Sequence, residues 1–193
     1  MLNKRDLIIF DLDGTIVDSA LDFDAMRREM GIEKGRPILE ELEKMKNHPE
    51  VHKYWSIVER HEMEGASKTT LMPGVESFLK EIRARKYKSA ILTRNCTKAL
   101  EVSLLKIPHQ FDVVISRDHD FRPKPFPDGL LSICKMLNHE VSRAVYIGDY
   151  LFDLEAAKAA NMMSILYAPE VQSFEEHADL VIRHFDELKK TLL

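Results

Sequence analysis

The feature that most constrains this chain is its opening: Leu7-Ile8-Ile9-Phe10 runs directly into Asp11-Leu12-Asp13-Gly14-Thr15. Consecutive apolar residues without polar alternation read as a strand buried on both faces, and Asp-Gly-Thr ends such a strand in a loop. Asp6 to Leu12 is therefore expected to be the first strand. Similar short runs recur at Ser89–Thr93, Val113–Ser116, Ala144–Ile147 and Ser164–Leu166, with a weaker one at Leu180–Ile182. Between most of them lie stretches of helical period, Val75–Arg85, Thr97–Lys106, Gly129–Leu137 and Leu151–Ala160. This alternation predicts an α/β fold with a doubly wound, mainly parallel sheet covered by helices on both faces.

Residues 18–72 break the alternation. They carry helical patterns at Leu21–Met30, Ile38–Lys46 and Val51–Glu64 and no convincing strand. Pro73-Gly74 would return the chain to the sheet, because Pro fixes φ and Gly permits a sharp turn. The expected organisation is an α/β core of residues 1–17 and 73–193 with a helical domain, residues 18–72, inserted after the first strand. There is no internal repeat and no low-complexity segment.

Composition narrows the function classes. A formal net charge of -4 with mixed signs gives no basic face for phosphate contacts along a nucleic acid. The apolar start is too short for a secretory signal, and no stretch is long enough to span a bilayer. Two cysteines, Cys96 and Cys134, form neither a disulfide framework nor a metal-finger spacing. A cytoplasmic protein, monomeric or homodimeric, acting on a small molecule rather than on nucleic acid or membrane is the expectation.

In open parallel sheets, ligands bind beyond the carboxyl ends of the strands. The first strand ends there in Asp11-Leu12-Asp13-Gly14-Thr15, the second in Thr93-Arg94-Asn95 and the fourth in Gly148-Asp149, with Asp153 one helical turn on. Lys124 lies in Arg122-Pro123-Lys124-Pro125, after the third strand. If the chain stays extended, Asp11 and Asp13 share a face, about 6–7 Å apart, and a phosphoryl group fits between them. One carboxylate could attack phosphorus while the other protonates the departing oxygen. An attacking carboxylate and a phosphate repel by about 4 kcal/mol per charge pair at 4 Å and an effective dielectric near 20. Magnesium, which prefers all-oxygen sites, could offset this by bridging the carboxylates of Asp11 and Asp149 to phosphate, with Asp153 as a further candidate. Lys124 adds a movable positive charge, and Thr93 and backbone N–H groups can bond the remaining oxygens, with Arg94 beside them.

These motifs, in this order, resemble those of the haloacid dehalogenase-like hydrolase superfamily. The phosphoglycolate phosphatase-like branch, with a helical cap after the first strand, is the nearest match, down to the phrase Pro123-Lys124-Pro125-Phe126-Pro127-Asp128. The resemblance implies a magnesium-dependent phosphatase of a small phosphorylated metabolite. In it Asp11 is the nucleophile and Asp13 the general acid and then base, with its backbone carbonyl on the metal. Thr93 and Lys124 hold phosphate, Asp149 ligates magnesium, and Asp153 orients Lys124 or a metal-bound water. The insertion departs from the pattern in being short beside most such caps, which points to a more open site or to closure by a partner subunit.

Other features invite plainer readings. His48 and His52 have the i, i+4 spacing of a metal pair, but Pro49 intervenes and no other strong ligand is near, so they read as surface residues. The methionines read as gap fillers, and Phe23, Tyr54 and Trp55 as the small core of the inserted helices in preference to residues facing the substrate. Arg27, Arg28 and Arg36 are candidates for a second anionic group on the substrate, or simply a solvated face. Asp186–Lys190 reads as the outer face of a terminal helix. A phosphomutase sharing the aspartyl-phosphate chemistry, and a non-enzymatic phospho-accepting receiver, are the alternatives to a phosphatase.

Overall fold

The computed structural model describes residues 5–191. Its centre is strand β1 (Leu7–Phe10), whose residues are all fully buried. The alternation of a pleated strand sends Ile8 and Phe10 into one apolar layer and Leu7 and Ile9 into the other. Such a strand must be covered on both faces, and both periodic helices and parallel neighbours follow from that.

The short strands β2 (Val17–Asp18) and β3 (Thr70–Leu71) bracket three helices, α1 (Phe23–Met30), α2 (Ile38–Lys44) and α3 (Val51–Lys68). The chain continues through α4 (Val75–Ala84), β4 (Lys88–Leu92), α5 (Thr97–Leu104), β5 (Val113–Ile115), α6 (Asp128–Met136), β6 (Ala144–Gly148), α7 (Leu151–Ala159), β7 (Met163–Tyr167), β8 (Leu180–Ile182) and α8 (Asp186–Thr191). The main sheet has the order β5-β4-β1-β6-β7-β8, and every pair in it is parallel. Residues of α4, α5 and α8 join the layer containing Phe10, and residues of α6 and α7 the layer containing Ile9. The α/β class expected from the alternation is the observed one.

The chain leaves β1 for β4 and β5 on one side, then crosses to β6, β7 and β8 on the other. The carboxyl ends of β1, β4 and β6 therefore surround the point where the winding reverses, which is where such sheets bind ligands.

The inserted helices build a separate apolar cluster from Met26, Met30, Ile38, Leu42, Ile57 and Val58, with Tyr54 and Trp55 packed against it. Phe23 is instead 51% exposed. Asp22 caps α1 by accepting from the Ala25 N–H at 2.7 Å, and Gly31 ends it with φ of 69°. The sequence showed no strand in this region, yet β2 and β3 pair antiparallel at its base, Val17 with Leu71 and Asp18 with Thr70. A ribbon of two-residue strands is too short to leave an alternation pattern. Among the described residues no helix is long and apolar enough to cross a membrane.

Candidate active site

A cavity of about 610 Å³ opens at the winding reversal, lined by Asp11, Asp13, Thr93, Arg94, Lys124, Asp149 and Asp153 together with residues of α1 to α3. Asp11, Thr93 and Asp149 reach it because a strand ends just before each. Asp11 is the first residue beyond β1, and its N–H donates to the Ile147 carbonyl at 2.8 Å. Its carboxyl is thereby aimed off the sheet between β1 and β6.

Lys124 arrives from the loop between β5 and α6, which a double hydrogen bond from Arg122 to Asp128 at 2.9 and 2.8 Å braces. The lysine is 4% exposed and lies between two carboxylates, 2.8 Å from Asp11 Oδ1 and 2.6 Å from Asp153 Oδ1. Burial opposes its charge, but Asp11 and Asp153 outweigh burial and raise its pKa above the ordinary lysine value. Asp153 is fixed in turn: the Tyr146 hydroxyl donates to Oδ1 at 2.9 Å and the Tyr150 N–H to Oδ2 at 3.0 Å.

The remaining carboxylates are held less fully. Burial pushes Asp11 up to about 7, with Lys124 pulling it down and Asp153 and Asp13 adding to the rise. Burial, and then the neighbouring Asp11 and Asp153, raise Asp149 well above the carboxylate range. Asp149 has no ion pair among the described residues; the Thr15 hydroxyl stands 3.5 Å from its Oδ1. Burial also raises Asp13, against hydrogen bonding from Ser19 and Asn95. The Asn95 amide donates to Asp13 Oδ2 at 2.6 Å, while Oδ1 is buried without a partner.

Two glycines permit this crowding. Gly14 has φ of 74°, and a Cβ there would come 2.2 Å from Asp149 Oδ2. At Gly148 a Cβ would lie 2.3 Å from Asp153 Cγ. Neither position has room for a side chain.

Oxygens of Asp11, Asp149 and Asp153 lie within 4.8 Å of one another. Hard divalent cations take such oxygen ligands. The cluster fits one: Asp149 is half-buried and has no ion pair among the described residues, and the carboxylates outnumber the single lysine.

Arg94 does not stand free beside Thr93. Its guanidinium is 2.6 Å from Glu40 Oε1 on α2 and lies over the Phe152 ring at 5.2 Å. Thr93 is 4% exposed, and its hydroxyl accepts from the Asn95 N–H at 3.1 Å. Arg27 pairs with Asp24 at 2.7 Å, Arg28 with Asp22 at 3.8 Å and Arg36 with Glu33 at 3.5 Å.

Sequence reasoning passed over Asn95, Tyr146 and Glu62. Tyr146 stands in a fully buried strand, where a phenol needs a partner. Glu62, 5% exposed, lies four residues from both Val58 and Ala66 on the apolar stripe of α3, a position where a carboxylate signals a buried pairing. Both its oxygens bond Arg117, and Oε2 also accepts from the Cys96 N–H at 3.0 Å. Arg117 donates as well to the Arg94 carbonyl at 2.6 Å. α3 is thus tied to the segment from Arg94 to Cys96 that holds Asp13.

Comparison with known proteins agrees with this geometry. Residues 22–167 match the haloacid dehalogenase-like hydrolase family. A haloacid dehalogenase-like hydrolase domain-containing protein of Arabidopsis thaliana is 30% identical over 160 residues, 76% of this chain; the match spans 63% of that relative's length. A phosphoglycolate phosphatase of Cereibacter sphaeroides is 29% identical over 215 residues, covering 96% of both chains. The solved structure of a haloacid dehalogenase-like family hydrolase from Streptococcus pneumoniae superposes with a TM-score of 0.79 at 19% identity, covering 98% of this chain and 99% of the other.

Proposed function

Because the chain belongs to the haloacid dehalogenase-like hydrolase family, in its phosphoglycolate phosphatase-like branch, we propose that it is a divalent-metal-dependent phosphatase of small phosphate monoesters working through an aspartyl-phosphate on Asp11. One observation carries the reading. A carboxylate at the end of the central strand lies 2.8 Å from a buried lysine and beside a half-buried aspartate that has no ion pair among the described residues, in a cavity large enough for an ester.

The Asp11 and Asp149 carboxylates and the Asp13 backbone carbonyl would hold the metal, magnesium by the family's usage. Bound there, it supplies positive charge that offsets repulsion between carboxylate and phosphate. Lys124 does the same from the opposite side, and the Thr93 hydroxyl donates to a phosphate oxygen. An Asp11 oxygen attacks phosphorus in line, and the bond from phosphorus to the ester oxygen breaks. Burial raises the pKa of Asp13 and so favours its protonated form, and Oδ1, buried without a hydrogen-bond partner, passes a proton to the leaving oxygen. Asp13, now a carboxylate, takes a proton from water. The resulting hydroxide attacks phosphorus, releasing inorganic phosphate and restoring Asp11. Asp153 and Tyr146 fix Lys124 and do not react.

Residues 18–72 act in this proposal as a cap over the core of residues 1–17 and 73–193, shielding the intermediate from bulk water. Free, buried Cys96 and Cys134 suit a reducing compartment such as the cytoplasm.

Phosphate release from p-nitrophenyl phosphate and a panel of esters, with magnesium or EDTA, tests the reading. Turnover should need metal and fall by at least ~1000-fold in Asp11→Asn. Absence of release by the folded, metal-supplied protein from every ester refutes it.

A further inference from the structure

We propose that the ester this cavity accepts carries a neutral, hydroxyl-bearing leaving group of about sugar size, and that the Glu40–Arg94 pair selects it against carboxylate-bearing esters such as phosphoglycolate. The inference rests on the phosphatase reading above and deepens it. Its first support is charge. The cations lining the cavity are Arg27, Arg94 and Lys124, and each is already matched by a carboxylate: Arg27 by Asp24 at 2.7 Å, Arg94 by Glu40 at 2.6 Å, and Lys124 by Asp11 and Asp153 at 2.8 and 2.6 Å. Arg27 spends a further donor on the Arg36 carbonyl at 2.8 Å. Away from the reacting end the lining also includes Asp18 and Glu62. A second anion on the substrate would find no uncompensated positive charge among the residues lining the cavity, and it would meet Glu40 as a like charge.

Size is the second support. A cavity of about 610 Å³ corresponds to roughly twenty waters at about 30 Å³ each. A two-carbon acid beside its phosphate would leave most of that space filled with water. A sugar ring uses more of it and finds an apolar wall of Ile38, Leu39, Val58 and Phe152 for its C–H faces.

The third support is hydrogen bonding. Glu40 Oε2 and Arg94 Nε are buried without partners among the described residues. A carboxylate beside a guanidinium supplies one acceptor and one donor a few ångströms apart, which matches the hydroxyls of a polyol. The Phe152 ring lies against the guanidinium at 5.2 Å, and a turn of either side chain would bring its unused atom to the ligand.

The decisive comparison is glucose 6-phosphate against 6-phosphogluconate, equal in carbon count and differing in a carboxylate, alongside pentose 5-phosphates, phosphoglycolate and p-nitrophenyl phosphate. kcat/KM for the best neutral sugar ester should exceed that for the best carboxylate ester by at least about tenfold. Glu40→Gln leaves Arg94 without its counter-charge and should move this ratio at least about tenfold toward the carboxylate esters. The ratio does not depend on how much of the variant is folded. Release from p-nitrophenyl phosphate combined with a preference for phosphoglycolate, or a ratio unmoved by Glu40→Gln, overturns the inference while the phosphatase reading stands. Release from none of these esters refutes the phosphatase reading and this inference with it.

Discussion

Glu62→Ala should destabilise the protein far more than a typical helix substitution and should lower turnover without touching the reacting atoms. In the native chain Glu62 Oε2 accepts from the Cys96 N–H and from Arg117, each at 3.0 Å, and Oε1 accepts from Arg117. Alanine leaves a buried backbone N–H without an acceptor and a guanidinium, 14% exposed, without its counter-charge. Breaking one side of a buried ion pair costs about 3–5 kcal/mol. For a domain of this size each kcal/mol moves Tm by about 2–4 °C, so Tm should fall by about 6–20 °C. Glu62→Gln keeps an acceptor for Cys96 and loses only the charge, so its fall should be roughly half as large. Replacing Glu62 and Arg117 together by methionine should recover part of the loss, because no charge is then stranded. Since Arg117 also bonds the Arg94 carbonyl and donates its own N–H to the Asn95 carbonyl at 2.9 Å, the loosened segment carries the amide that holds Asp13. kcat should therefore drop by about tenfold or more with KM changed less. Thermal denaturation and steady-state kinetics on the three variants decide the matter. A fall in Tm of less than about 2 °C for Glu62→Ala would show that the pair is solvated and that the coupling argument is wrong.

Three further outcomes follow from the same geometry. In EDTA, Asp149→Asn should be more stable than the parent chain at pH 7.5, with the gap closing toward pH 5. Burial raises the native pKa of Asp149, and that of Asp11 to about 7 from an ordinary value of 3.8, so the native state binds more protons than the unfolded state across this window and loses stability as pH rises; thermal melts at several pH values check it, and a gap independent of pH would refute it. Tyr146→Phe removes the hydroxyl that reaches Asp153 Oδ1 at 2.9 Å and should cost about 1–2 kcal/mol of stability by chemical denaturation. Gly14→Ala should lose measurable activity altogether, since its Cβ would sit 2.2 Å from Asp149 Oδ2 on a backbone with φ of 74°.

The sheet was readable because each strand had to be buried on both faces. Leu7-Ile8-Ile9-Phe10 admits no other placement in a chain that also carries Ala144–Ile147 and Ser164–Leu166, and the helices between them follow from parallel connection. Element ends were less legible. The helix expected to stop at Glu64 continues to Lys68, because Gly65 fits against Leu21 and the Ser19 carbonyl, where a Cβ would come within 3.0 Å. Close packing thus turns a residue that normally weakens a helix into one the helix requires. The β2–β3 ribbon left no trace for the opposite reason, having only Val17–Asp18 and Thr70–Leu71 to show.

The site divides along the same line. Asp11, Thr93 and Asp149 stand directly beyond β1, β4 and β6, so their convergence follows from strand order alone, and Lys124 and Asp153 are brought in by short connections. Arg94 stands beyond β4 as well, but its pairing could not be read from the sequence, because its partner, Glu40, lies on α2, separated from it by 54 positions along the chain. Nothing in the local pattern of either residue announces that pairing. The same holds for Glu62 and Arg117. In the proposed mechanism the groups that act on phosphorus are set by the topology of the sheet, whereas those that would meet the leaving end are set by how the inserted helices pack on it. Residues 18–72 can therefore change the charge balance of the cavity without disturbing Asp11, Asp13, Lys124 or Asp149. A chain of this architecture reveals its reaction in its strand ends and its substrate only in contacts between α2, α3 and the loop after β4.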